Sequence, residues 1–178
     1  MRTQAWASEV DCTTSARRLA HALAAHRALD RAYIELHGPL GVGKTTFTRH
    51  LLQALGVSGR IKSPTYAVME SYDVEAREAD PGASGIAIRH FDFYRFADPQ
   101  EWEDAGFRDA FAAPGLKLAE WPEKAAGLLP VADLRIDIAP DVNLADAPSV
   151  EDGEEPPTDQ RRVVHFTALT ALGLELLP

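Results

Sequence analysis

Tyr33-Ile34-Glu35-Leu36-His37-Gly38-Pro39-Leu40-Gly41-Val42-Gly43-Lys44-Thr45-Thr46 is the stretch that decides how this chain is read. Its first five residues form a short strand-like run, which the glycines then break. Gly38 to Thr45 matches the pattern G-x-x-x-x-G-K-[ST] in full. Glycines let the backbone wrap tightly enough for several N–H groups to face one phosphate. A helix opening at Lys44 turns its positive end on the same oxygens. Lys44 is a point charge for β- and γ-phosphates, and the Thr45 hydroxyl is one Mg²⁺ ligand. A glycine-rich turn that merely fits the pattern would need neither a strand before it nor a helix after it.

Working outward, residues 15–27 carry Ala16, Leu19, Ala20, Leu23 and Ala24 at helical spacing, with Thr13 or Thr14 as the expected N-cap. The helix after the loop is expected to run over 44–55, and Gly56 sits where a left-handed C-cap residue is wanted. Residues 65–74 and 86–94 read as strands joined by a solvated tip over 75–85. Asp98-Pro99-Gln100-Glu101 is a helix start that should stop near Gly106. Further strands are expected at 116–120, 134–138 and 163–166, the last followed by a short helix. Alternation of strands and helices around this loop predicts an α/β three-layer P-loop NTPase fold with a mainly parallel central sheet carrying an antiparallel hairpin.

The 178 residues suit one domain, and 46% hydrophobic against 25% charged residues suffices for a packed core. Residues 140–160 are acidic and proline-broken, which predicts a mobile loop inside that single domain of 1–178. The net charge of −9 lacks the field that drives phosphate-backbone binding, so direct, unaided RNA or DNA binding is disfavoured. One cysteine, Cys12, forbids an intrachain disulfide and carries no motif. No signal-peptide-like stretch opens the chain and no run is long enough for a membrane span, so the expected address is the cytoplasm, away from membranes.

A phosphate cradle needs partners from the carboxyl ends of other strands to hold Mg²⁺ and orient water. Two strands end suitably, in His90-Phe91-Asp92 and in Leu118-Ala119-Glu120. Asp92 stands at a Walker-B-like position, the alternative being a strand-end turn former. Glu120 precedes Trp121-Pro122, where proline stops the strand and the indole is able to wall a nucleotide pocket; a surface glutamate beside a core tryptophan is the plainer reading. Ser63 and Thr65 offer hydroxyls in a loop that also reads as an ordinary turn. His90 reads first as a satisfied half-buried strand residue, with a functional role as the lesser alternative, Arg95 as a phosphate contact or a carboxylate partner, and Trp102 as packing.

The order of the pieces says more than any one of them. Gly38 to Thr46, Lys62-Ser63-Pro64-Thr65-Tyr66, His90-Phe91-Asp92-Phe93-Tyr94-Arg95 and Glu120-Trp121-Pro122-Glu123 follow one another as in the TsaE (formerly YjeE) family, which the chain resembles over about residues 16–138. The resemblance implies an ATPase needed for threonylcarbamoyladenosine modification of tRNA, using ATP and Mg²⁺. It implies TsaD and TsaB homologues as partners, with tRNA met only through their complex. It places Gly38, Pro39, Leu40, Gly41, Val42, Gly43, Lys44, Thr45, Thr46, Thr65 and Trp121 on the nucleotide. It gives Lys44, Asp92 and Glu120 the catalytic roles, and Thr45, Glu120 and Asp92 the metal. A residue near Cys12 or Thr13 would approach the adenine. Ala67 and Ala119 depart from the family's pattern. A small P-loop kinase and a non-hydrolysing nucleotide sensor are the alternatives; the scarcity of arginine between 86 and 130, with only Arg89, Arg95 and Arg108, argues against a kinase lid.

Overall fold

The computed structural model describes residues 1–64, 67–74, 85–141 and 161–178. Strand β2 (Tyr33–His37) lies at the centre, with β5 (Leu116–Glu120) and β6 (Leu134–Pro140) parallel to it on either side. β4 (Ile86–Asp92) extends the parallel set beyond β5, and β3 (Met69–Val74) closes that edge as the antiparallel arm of a hairpin. On the other edge β7 (Arg162–Ala168) and β1 (Arg2–Trp6) pair antiparallel, giving the order β1-β7-β6-β2-β5-β4-β3.

Helices cover both faces, so the expected three-layer architecture holds. α1 (Glu9–Ala25) and α2 (Lys44–Ala54) bury Leu19, Leu23, Phe47, Leu51 and Leu52 against Ile34, Leu36 and Ile136. The opposite face packs α3 (Pro99–Asp104) and α4 (Phe107–Ala112) through an aromatic cluster of Phe91, Phe93, Phe96, Trp102 and Phe107. Trp102 is 3% exposed there, so its packing role stands. A short 3₁₀ turn (Pro122–Ala125) follows β5, and α5 (Ala171–Glu175) ends the chain. No helix among the described residues is long and apolar enough to cross a membrane.

Several boundaries differ from the sequence expectation, each for a local reason. α1 begins at Glu9, because the Asp11 carboxylate accepts the Ser8 N–H at 3.0 Å and fixes the first turn. Thr13 and Thr14, expected as caps, instead donate back to the Glu9 and Val10 carbonyls at 2.9 and 2.8 Å inside the helix. β3 starts at Met69 after a turn in which Val68 takes φ +62°. β4 stops at Asp92, whose carboxylate accepts the Tyr94 N–H at 3.0 Å. β1 and α4 are not announced by the sequence. β1 is held by five-residue pairing to β7 and anchored by Trp6, which stacks on Phe47 at 5.5 Å. α4 follows Gly106 in the left-handed region, which bends the chain into a second helix where the first was expected to end. Most of the 75–85 tip and of the 140–160 acidic stretch lies outside the described residues.

This topology aligns the carboxyl ends of β2, β5 and β4 side by side. Leu36 pairs with Glu120 and Glu120 with Asp92, so the loop after β2 and both carboxylates share one edge of the sheet. Gly38 begins that loop with φ +132°, and a Cβ there would lie 2.1 Å from the Ile138 carbonyl oxygen. Gly38→Ala is therefore expected to cost about 2–4 kcal/mol of stability, from backbone strain and overpacking together. Urea unfolding measures it; an unchanged midpoint would mean that the loop does not approach β6 as described.

Candidate nucleotide site

The loop from Gly38 to Gly43 curls over the start of α2, with Gly43 in the left-handed region at φ +112°. Backbone N–H groups at a helix start form a cradle for anions. Lys44 is only 4% exposed. Its Nζ donates to the Gly38 and Pro39 carbonyls at 2.6 and 2.9 Å and lies 3.7 Å above the Trp121 ring. Burial pulls the ammonium below the ordinary lysine range, while Glu120, Glu123 and Asp92 pull it back. The result is one cation held next to the cradle by carbonyls, an indole and nearby carboxylates.

Glu120 is 2% exposed, and both of its oxygens are engaged. Oε2 accepts the Thr45 hydroxyl at 2.9 Å, and Oε1 lies 2.9 Å from His90 Nε2. Asp92, 3% exposed, accepts the Ser63 hydroxyl on one oxygen and the Tyr94 N–H on the other. Trp121 takes φ +57°, a strained region for a bulky residue, at the point where Pro122 opens the 3₁₀ turn. That turn places its ring over Lys44 and 5.0 Å from the Tyr94 ring.

A cavity of about 420 Å³ joins these groups, lined by Lys44, Thr45, Ser63, Asp92, Glu120 and Trp121. Leu40, Gly41, Gly43 and Thr46 also reach it, as does Arg95. Of the site residues expected from the sequence, all but Gly38, Pro39, Val42 and Thr65 line this cavity, and Thr65 lies outside the described residues. Pro39 contributes a carbonyl to Lys44, and Val42 is buried behind the loop.

Hard oxygen donors on Thr45, Glu120 and Asp92 around one cavity suit Mg²⁺. Among the described residues no three His, Cys, Asp or Glu side chains form a metal cage of their own. Mg²⁺ bound through one or two carboxylates plus substrate phosphates needs no such cage, so the donor set fits that cation.

A second, smaller cavity of about 150 Å³ lies on the α1 side of the loop, lined by Trp6, Cys12, Val42, Gly43, Thr46 and Arg162. The Arg162 Nε donates to the Val42 carbonyl at 2.6 Å, tying β7 to the phosphate loop. Arg162 and Trp6 went unread in the sequence because both reach the loop only through the β1–β7 pairing, far away along the chain. Cys12 is buried in this wall, and its thiol is pushed up to about 12 by burial and Glu9, against Arg162. It packs as a buried free thiol.

A family model described as threonylcarbamoyl adenosine biosynthesis protein TsaE matches residues 6–145. The chain is 46% identical over 105 residues to tRNA threonylcarbamoyladenosine biosynthesis protein TsaE of Haemophilus influenzae, covering 59% of this chain and 61% of that one. With the protein of the same description in Bacillus subtilis it shares 33% over 103 residues, 58% of each chain. The chain thus spans about three fifths of the length of these curated relatives. The crystal structure of Bacillus subtilis YdiB superposes with a TM-score of 0.62 at 22% identity, covering 98% of this chain and 91% of that one, a likeness of fold. With well over half of its residues matched by the family model, phosphate loop, Asp92 and Glu120 included, the chain belongs to the threonylcarbamoyl adenosine biosynthesis protein TsaE family.

Proposed function

We propose that this chain binds ATP with Mg²⁺ and hydrolyses it in the cytoplasm, in the service of threonylcarbamoyladenosine modification of tRNA. TsaD and TsaB homologues are its partners, and tRNA is met through their complex. The observation that carries the reading is the Thr45–Glu120 hydrogen bond at the foot of the phosphate cradle, with Lys44 and Asp92 in the same cavity. Parts that phosphoryl transfer to water uses lie together there and support the reading: donors for the phosphate oxygens, oxygen ligands for a cation, and carboxylates beside them. The names of the relatives supply the pathway.

Within this reading the loop N–H groups hold the β-phosphate. Lys44 shifts from the Gly38 and Pro39 carbonyls to the β- and γ-phosphate oxygens. Thr45, Asp92 and Glu120 would hold Mg²⁺, which supplies charge neutralisation on the γ-phosphoryl group. Trp121 walls the triphosphate. The smaller cavity beside Cys12 and Arg162 takes the base, since it adjoins the same loop at Gly43 and Thr46. Catalysis is electrostatic: the loop N–H groups and Lys44 meet the charge that develops as the γ-phosphoryl group leaves, and a cation held by Thr45, Asp92 and Glu120 would add to that neutralisation.

The test is ATP hydrolysis by the purified chain, alone and with TsaD and TsaB homologues from the same source. Slow turnover that rises on adding the partners is expected. ATP that stays bound and intact in both conditions would replace the ATPase by a nucleotide sensor. Stoichiometric phosphorylation of a small acceptor would replace it by a kinase.

A further inference from the structure

We propose that His90 is a positioning residue of the nucleotide site: its Nε2–H fixes the Glu120 carboxylate, which in turn orients the Thr45 hydroxyl. This rests on the nucleotide-site reading above and adds a member to it. His90 has 0% exposure in the middle of β4, on the strand face that also carries Ile88 and Asp92. An apolar side chain would satisfy that position as Ile88 satisfies its own. Burying an imidazole there costs free energy unless its nitrogens are bonded. Among the described residues only one of them is. Nε2 lies 2.9 Å from Glu120 Oε1, and Nδ1 is buried with no hydrogen-bond partner.

A histidine kept for packing alone would be expected to satisfy both nitrogens or to be replaced by an aliphatic residue. Among the described residues this one has a partner at a single nitrogen, which it directs at the carboxylate that holds Thr45. The strand register explains the reach. His90 pairs with Leu118, so Glu120 is its diagonal neighbour two residues on, on the same face of the sheet.

The chemical consequence runs through three elements. A carboxylate bonded at one oxygen only can rotate about its last torsion; bonded at both, its plane is fixed. With His90 on Oε1, the Glu120 Oε2 stays where it accepts the Thr45 proton at 2.9 Å. A threonine hydroxyl has one proton, so once that is given to Glu120 only lone pairs remain for the cavity. That is the form in which a hydroxyl serves Mg²⁺. His90 on β4, Glu120 on β5 and Thr45 at the start of α2 thus form one chain of orientation ending at the cation position.

The experiment compares His90→Met with His90→Gln, two side chains of similar shape of which only glutamine keeps an N–H near the Nε2 position. ATP affinity is measured by calorimetry with and without Mg²⁺, and thermal unfolding confirms that each variant is folded. In His90→Met the gain in affinity on adding Mg²⁺ is expected to fall about tenfold, the usual scale for losing an outer-shell partner. In His90→Gln it is expected to return to within about threefold of the parent. A folded His90→Met with the parent's full Mg²⁺ gain would overturn the proposal. So would a folded His90→Gln that fails as badly as His90→Met. Should methionine not fold, glutamine decides alone, because the proposal requires it to keep the gain. A parent chain that binds no ATP would remove the nucleotide site itself and His90's role with it.

Discussion

Lys44→Ala is expected to weaken ATP binding about 100-fold and to lower turnover at least as much. The ammonium is held beside the cradle by the loop itself, 4% exposed and bonded to the Gly38 and Pro39 carbonyls. Its charge-assisted bonds to phosphate contribute together on the order of 3 kcal/mol, and each 1.4 kcal/mol is a factor of ten. Stability should fall far less, by about 1 kcal/mol, because the two carbonyls released belong to a partly exposed loop that water can reach. Calorimetry with ATP and a denaturant melt separate the two effects. Wild-type affinity in the alanine variant would remove the loop from the phosphate site.

Glu120→Ala has the next largest effect, of a different kind. Glu120 receives two side-chain hydrogen bonds in a buried position, from Thr45 and His90, so its loss unpairs both donors. About 1–3 kcal/mol of stability should go with them, which a domain of ordinary stability survives. Turnover should drop about 100-fold through lost stabilisation of the transferring group. The Mg²⁺ concentration for half-maximal rate should rise at least about tenfold, because the cation loses Glu120 and an oriented Thr45 hydroxyl together. Mg²⁺ dependence is the telling measurement, since a merely destabilised enzyme would lose rate at every Mg²⁺ concentration alike. An unchanged Mg²⁺ curve would take Glu120 out of the cation site.

What could be read in the sequence follows from how local each signal is. The phosphate loop is encoded in eight consecutive residues, so it was legible entire, as were β2 and β5, which glycine and proline delimit. Asp92 and Glu120 were legible as strand ends, and parallel pairing of β4, β5 and β2 brings them together. Ser63 in the sequence fits a site and a turn equally; the bond it gives to Asp92 draws it into the cavity. In the sequence His90 reads first as a half-buried strand residue and only second as a functional one, because nothing in its neighbours along the chain reveals that Glu120, thirty residues on, ends within hydrogen-bond reach. β1 was invisible for the same reason. Its mostly exposed residues become a strand only through β7, more than 150 residues later. With β1 unread, the cavity between Trp6, Cys12 and Arg162 could not be assembled either. Thr13 and Thr14 misled as caps because hydroxyls that favour helix starts also bond back to carbonyls within a helix.

The central claim is that one cavity, floored by the Gly38–Thr45 loop and walled by Asp92, Glu120 and Trp121, holds ATP together with Mg²⁺. Calorimetric titration of the purified chain with ATP, in Mg²⁺ and then in a chelator, tests it directly. One nucleotide per chain, bound more tightly with Mg²⁺ and competed by ADP, is the expected result. A chain that shows no saturable binding of ATP in either condition would contradict the account.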